Sequence, residues 1–144
     1  MIRPFQPQDQ ADVKALVLAG LVEHWGWLDT TLNPDLNDIA RTYAQSVFLT
    51  AWDGPRLVGC GALKPHGADG GEIVRMSVER SLRRSGIGRQ ILTALIAAAR
   101  QRGCRRVILE TTESWDEVVA FYLSFGFRIT HHQDGDVYFC LELV

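Results

Sequence analysis

The 144-residue sequence predicts one mixed α/β (α+β) domain, a sheet of about seven strands in the order β-α-α-β-β-β-α-β-α-β-β with helices on both faces. Three observations predict it. Short apolar runs bounded by Gly, Asp and Asn alternate with segments of helical periodicity. The second half contains a strand, a long amphipathic helix and another strand, a crossover whose two strands should be parallel. Between that first strand and that helix stands "RRSGIGR", residues 83–89, two glycines and three arginines in a chain of formal net charge −2.

Taken in order, "MIRPFQ" reads as a short strand, and Pro7 opens a helix to about residue 21 with Val13, Leu16, Val17 and Gly20 on one face. "EHWGWLDTTL" follows as an aromatic loop. Asn33 and Pro34 suit the N-cap and first turn of a second helix, "DLNDIARTYAQ", with Leu36, Ile39, Ala40 and Tyr43 at helical spacing. "VFLTAW", Asp53-Gly54 and "RLVGCGALK" form a hairpin, and "EIVRMSV" is the next strand. Ile87, Ile91, Leu92, Leu95, Ile96 and Ala99 mark the long helix, closed at Gly103. "RVILET" is a strand; Ser114 and Glu117 make an S-x-x-E capping box for a helix stopped by Gly126. "FRITHH", the turn "QDGD" and "VYFCLEL" close the chain as a hairpin.

Composition bounds the function. With 47% apolar and 22% charged residues the chain is of ordinary globular type, and its charge balance gives no general pull toward nucleic acid or an anionic membrane. No apolar run is long enough to span a bilayer and the first residues lack a signal-peptide core, so the expected location is the cytoplasm. Cys60, Cys104 and Cys140 are dispersed, without a C-x-x-C pair, and read as free thiols; no metal is expected.

The glycine stretch admits several readings. Converging backbone N–H groups at a helix N-terminus favour an anion such as phosphate, while the plain alternative is a tight turn with solvated arginines. A Walker loop fails, because Arg89-Gln90 follows Gly88 where Lys-Ser/Thr is needed. A dinucleotide fingerprint gains from Glu110 at the end of the next strand, but Ile91 stands at the third glycine position and the preceding strands form hairpins. Nucleic-acid binding wants a broad basic face, which is lacking outside residues 80–89. An acyl-coenzyme A, with a pyrophosphate and one further phosphate, matches backbone donors and a few arginines.

The loop Arg83-Arg84-Ser85-Gly86-Ile87-Gly88, preceded by "EIVRMSV" and followed by "FYLSFGF", resembles the GNAT superfamily of acyl-CoA-dependent N-acyltransferases, whose loop is Gln/Arg-x-x-Gly-x-Gly/Ala. The resemblance implies acetyl-CoA as cosubstrate. Backbone amides of Arg84, Ser85, Gly86, Ile87, Gly88 and Arg89 would hold the pyrophosphate, with Arg83 at the loop's consensus position. Met76, Ser77 and Val78 would pair with the pantetheine arm like a further strand, and a backbone N–H of Met76 or Val78 would polarise the thioester oxygen. Tyr122 aligns with the family's tyrosine acid, its alternative being one aromatic in a packed set with Phe121, Phe125 and Phe127. Glu72, four residues before Met76, takes the place of the glutamate base in the histone-acetylating branch, its alternative being an ion pair with a nearby arginine or a cap on the turn after Gly70-Gly71. Alternation puts Glu72, Val74, Met76 and Val78 on one face in the absence of a bulge. Trp115 stands where many members carry an asparagine contacting the pantetheine.

The acceptor is less legible. In the family the segment between the first two helices walls the acceptor pocket, here with His24, Trp25 and Trp27, which could cradle a cationic or apolar group, and with Glu23, Asp29 and Asp35, which could favour an amine. Core tryptophans and solvent-facing acids are the alternative. His131 and His132 read as structural or exposed. The leading expectation is direct acetyl transfer to a primary amine of a small molecule or peptide, with no nucleic-acid or membrane partner and a homodimer as a compatible state. The alternatives are a non-catalytic acyl-CoA-binding sensor, with a closed acceptor pocket, and a nicotinamide-dependent enzyme.

Overall fold

A computed structural model describes residues 1–26 and 32–143, the His24 side chain excepted. The strands are β1 Ile2–Pro4, β2 Val47–Asp53, β3 Arg56–His66, β4 Gly70–Val78, β5 Arg106–Thr112, β6 Arg128–Gln133 and β7 Asp136–Glu142. The helices are α1 Gln10–Trp25, α2 Ile39–Thr42, α3 Ile87–Gln101 and α4 Asp116–Phe125. They build a seven-stranded sheet in the order β1-β2-β3-β4-β5-β7-β6. β4 and β5, joined through α3, are the parallel pair; the other pairs are antiparallel. The mixed sheet and its element order are those expected.

Each face of the sheet carries its own core. Val13 and Val17 of α1, with Leu36 and Ile39, cover Phe48, Cys60 and Ala62 on one face. On the other, Ile91, Leu92, Leu95, Ile96 and Ala99 of α3 and Tyr122 of α4 pack against Leu63, Ile73, Val107, Leu109 and Phe139. Two glycines of β3 let α3 approach closely: a Cβ on Gly59 would lie 2.8 Å from Ile91 Cδ1, and one on Gly61 3.0 Å from Ile91 Cγ2.

Three local expectations need correction. The first helix runs on to Trp25, after a 3-10 turn at Pro7–Asp9, so Trp25 lies on its last turn and not in a loop. The second helix is a 3-10 turn, Pro34–Asn37, followed by the four residues of α2. Asn33 makes no capping bond because its Oδ1 accepts from Arg75 Nη2 at 3.0 Å, and Asp38 restarts the helix by accepting from the Arg41 N–H. The Ser114 capping box does not form: α4 is N-capped by Trp115, whose carbonyl accepts from Val118 and Val119, while Glu117 pairs with Arg84.

Candidate active site

The two parallel strands separate. β4 pairs with β5 at Gly70, Gly71 and Glu72 only, against Arg106, Val107 and Ile108, yet β4 continues to Val78 and β5 to Thr112. A bulge in β4 accounts for the divergence. The β3–β4 register passes from Ala62↔Val74 to Cys60↔Ser77, so Arg75 and Met76 together face Gly61. Arg75 sits at φ +57°, a left-handed conformation that costs a non-glycine residue about 1–2 kcal/mol and bends the strand. Past Glu72 and Ile108 the two facing edges no longer pair with each other, which leaves backbone donors and acceptors for an extended ligand.

The bulge also overturns the expected alternation. Glu72 and Val74 keep the same parity, and Val74 packs in the α1-side core. Met76 joins the α3-side core, and Val78 lies beside Gly88 of α3. Four residues expected on one face are thus divided two and two by the one extra residue. Ser77 turns the other way, toward α1, where a Cβ on Gly20 would come within 3.2 Å of its Oγ.

Beside the split lies a cleft of about 620 Å³ whose lining includes Asp35, Tyr43, Lys64, Glu72, Arg75 and Glu110. Glu72 is largely covered, its side chain 19% exposed, with Lys64 Nζ 3.9 Å from its Oε1. Arg75 forks onto Asp35, Nε to Oδ2 at 2.9 Å and Nη2 to Oδ1 at 2.7 Å, and the Tyr43 hydroxyl donates to the same carboxylate at 2.6 Å. Burial alone would raise the Asp35 carboxyl, but hydrogen bonds from Arg75 and Tyr43 and the guanidinium charge outweigh it and hold the carboxyl below its ordinary range. The Tyr43 phenol is pushed up to about 12 by burial and by the hydrogen bond to Asp35.

Because Asp35 titrates lower folded than unfolded, its contribution to stability is present above pH 3.8 and is lost as pH falls through the folded value. Asp35→Asn should therefore be less stable than the parent at pH 7 by about 1–2 kcal/mol. Denaturant melts should show that gap closing on acidification below pH 3.8.

After β4 the chain makes a 3-10 turn, Arg80–Leu82, and enters α3 through Arg84 at φ +66° and Gly86 at φ +94°. The first bond into the helix is donated by the Gln90 N–H to Gly86 O at 3.0 Å, so the amides of Gly88 and Arg89 lie ahead of it at the positive end of a fifteen-residue helix. The three arginines have distinct duties. Arg83 donates from Nε to Val78 O at 3.2 Å and pairs through Nη1 with Glu23 at 2.6 Å, tying the loop to β4 and α1. Arg84 pairs with Glu117 in solvent, and Arg89 donates to Ser124 Oγ at 2.9 Å. Ser85 bonds Leu82 O, and Ile87 packs against the α3-side core.

Tyr122 of α4 is buried, its ring against Phe121, Phe127 and Phe139 at centroid distances of 5.1, 5.8 and 5.7 Å. Burial pushes its phenol well above the ordinary value of 10. Trp115 meets Trp25 edge-on at 5.6 Å, joining the end of α1 to the start of α4. The His24 side chain and Trp27, both expected at the acceptor wall, lie outside the described residues, as does Asp29. Of the other acids expected to attract an amine, Glu23 and Asp35 are committed to Arg83 and Arg75. His131 stacks on Tyr138 at 4.3 Å and His132 meets Glu113, both on exposed β6. Arg75, Tyr43 and Glu110 also line this cleft, beyond the residues the sequence points to; a lone arginine inside the apolar run "EIVRMSV" is the one local sign of it.

The mixed sheet thus opens between its parallel strands, with a glycine-bearing loop leading into the crossover helix beside the opening. Residues 15–127 match the model of the Acetyltransferase (GNAT) family, and the chain belongs to that family. It is 41% identical over 83 residues to the Bacillus subtilis (strain 168) protein named Uncharacterized N-acetyltransferase YsnE, covering 56% of this chain and 55% of that protein. Human N-acetyltransferase 8 is 30% identical over 123 residues, covering 80% and 52%. The chain spans about half the length of the curated relatives it matches first. Solved structures share its fold: a GNAT acetyltransferase of Staphylococcus aureus Mu50, with a TM-score of 0.92 at 18% identity over 100% of this chain and 99% of that one, and the PaiA N-acetyltransferase of Thermoplasma acidophilum in complex with coenzyme A, 0.86 at 17% over 99% and 98%. Among the described residues no helix is long and apolar enough to cross a membrane.

Proposed function

We propose that this protein is an acetyl-CoA-dependent N-acetyltransferase that acts by direct transfer to a primary amine of a small molecule or peptide. The observation that carries the reading is the separation of β4 from β5 beside the amides at the start of α3. The residues fit the cosubstrate: unpaired β4 edge for an amide-bearing arm, and helix-start donors for a pyrophosphate. Met76, Ser77 and Val78 would hold the arm. Amides of the loop from Arg84 through Ser85, Gly86, Ile87 and Gly88 to Arg89 would hold the phosphates, with Arg83 fixing the loop's shape through Val78 and Glu23. Trp115 and Trp25 offer an aromatic wall where family members place an asparagine.

Acetyl-CoA, when bound, supplies the acetyl group as an activated thioester. The residues of the chain manage protons and charge. An alkylammonium of reference pKa near 10.4 is neutral in only about one molecule in several thousand at pH 7, a cost of roughly 4–5 kcal/mol. Glu72, in the cleft, takes that proton directly or through water. The Met76 N–H, next to the bulge, donates to the thioester oxygen as charge develops there. Tyr122, kept protonated by burial, donates a hydrogen bond to the leaving sulfur. A thiolate of reference pKa about 8.5 is a weaker base than a buried tyrosinate, so the hydrogen bond, more than complete proton transfer, is what Tyr122 contributes. The open cleft beside Glu72 favours turnover over a binding-only sensor.

Release of free thiol from acetyl-CoA across a panel of primary amines tests the reading; acetylation of at least one amine is expected, and coenzyme A binding without transfer to any of them would favour the sensor. Within the loop, calorimetry should show Gly88→Val weakening coenzyme A binding more than Arg84→Ala. A Cβ on Gly88 would lie 3.5 Å from Val78 and 3.7 Å from Phe121, so valine's methyls intrude between β4 and α4. Removing the Arg84 side chain takes away a solvent-exposed ion pair and leaves its backbone amide in place.

A further inference from the structure

The geometry points to Asp35, Arg75 and Tyr43 as positioning residues, a clasp from the cleft wall that holds the β4 bulge and thereby aims the backbone N–H of Met76. The inference rests on the acetyl-transfer reading for its catalytic consequence and on the described contacts for its structural one. Arg75 is the extra residue of the bulge, and a left-handed arginine persists only where its surroundings over-determine it. The surroundings do so from both sides. Its guanidinium is forked onto Asp35 and also donates to Asn33 Oδ1, both from the segment between α1 and β2. Its carbonyl accepts from the Cys60 thiol of β3 at 3.3 Å. Tyr43 fixes the Asp35 carboxylate from a third direction.

Neither Asp35 nor Arg75 belongs to either apolar core, although the Tyr43 ring packs at the edge of the α1-side one. Both side chains remain about one-fifth exposed, 20% for Arg75 and 22% for Asp35, and both line the cleft. The pair instead spans the opening, joining the acceptor wall to the strand residue that precedes Met76. A bidentate fork defines the orientation of the arginine in a way that a lysine's point charge does not. An acceptor lying against Asp35 and Tyr43 would therefore press on the same contacts that set the bulge.

The test uses the full chain with Asp35→Asn, Arg75→Gln, the double variant, Arg75→Lys and Tyr43→Phe. Two readouts are taken: kcat and KM for acetyl-CoA, and amide hydrogen exchange at Ser77 against that at Ile73. Because the N–H acts on charge that develops only in the transition state, each charge variant should lose about 10–100-fold in kcat with KM for acetyl-CoA little changed. The double variant should fall no further than the worse single, and Arg75→Lys should resemble Arg75→Gln. Exchange at Ser77, paired with Cys60 of β3 beyond the bulge, should quicken about tenfold while Ile73 holds, since local opening is read residue by residue. Unchanged kcat, unchanged exchange, or single effects that multiply in the double variant would overturn the clasp. Tyr43→Phe removes one hydroxyl and no charge, so it decides the matter if a charge variant fails to fold; a severalfold loss in kcat is expected, and full activity with parental exchange overturns the proposal. If the parent acetylates no amine, the functional reading fails, and the exchange data alone decide the clasp.

Discussion

Glu72→Gln is expected to lower kcat for acetyl transfer by about 10²–10⁴ at pH 7 while coenzyme A affinity stays at the parental value. Glutamine keeps the size of the side chain and its place on β4, opposite Lys64, but cannot accept the amine proton. The loss should be greatest at neutral pH and should shrink as the pH approaches the amine's own pKa, near 10.4, because free base then no longer depends on the enzyme. In the variant, the rate should climb about tenfold per pH unit below that value, more steeply than in the parent. Steady-state rates over a pH series check both points. A variant with parental kcat at pH 7 would leave Glu72 the structural role of an ion pair, formed with Lys64 of β3 and not with the arginine that the sequence suggests.

Tyr122→Phe should cost less, about 10–100-fold in kcat, at the low end for an assisting acid because the sulfur is already a good leaving group. Phenylalanine preserves the packing against Phe121, Phe127 and Phe139, so the melting temperature should stay within a few degrees of the parent. The pH dependence has a definite sign. Burial raises the phenol above its ordinary value of 10, so Tyr122 holds its proton through the alkaline range in which the amine becomes free base, and the parent should show no fall in rate near pH 9 from this residue. Replacing phenylalanine by 3-nitrotyrosine, a stronger acid, would restore activity only where its hydroxyl is protonated. Parental turnover in Tyr122→Phe would make the tyrosine a core aromatic and nothing more.

The parts of this fold that depend on neighbours along the chain are legible in the sequence alone. The crossover from β4 through α3 to β5, the glycine-bearing loop and both hairpin turns follow from local periodicity and from residues such as Gly86 at φ +94° and Gly135 at φ +83°. What alternation could not supply is the bulge. Whether Met76 faces α1 or α3 depends on Gly61 of β3 standing opposite two residues, and no pattern within "EIVRMSV" encodes that register. The contact that fixes Arg75 comes from Asp35, forty positions earlier. The same long-range bond explains the shortened second helix: Leu36 and Ile39 are buried as their spacing implies, but Asn33 is taken by Arg75 and cannot cap. Glu117, likewise, is drawn to Arg84 across the loop. Local signals compete with tertiary partners, and at the cleft the partners prevail.

The electrostatic consequence is that the cleft's charges are largely matched within the chain. Asp35 answers Arg75 and Lys64 stands near Glu72, while Glu110 stands opposite Tyr138 across β5 and β7. On the proposed acetyl transfer, selection of an amine falls to groups that can exchange a partner, Glu72 foremost, and less to a general negative field.

In the proposed complex, acetyl-CoA lies in the split between β4 and β5 with its phosphates on the start of α3. A titration of amide 1H–15N spectra with coenzyme A tests it most directly. The amides of Gly86, Ile87, Gly88 and Arg89 and those of Met76, Ser77 and Val78 are expected to shift together with one affinity, while those of β6 stay in place. Shifts confined to other surfaces, or the same set responding to NAD and not to coenzyme A, would contradict it.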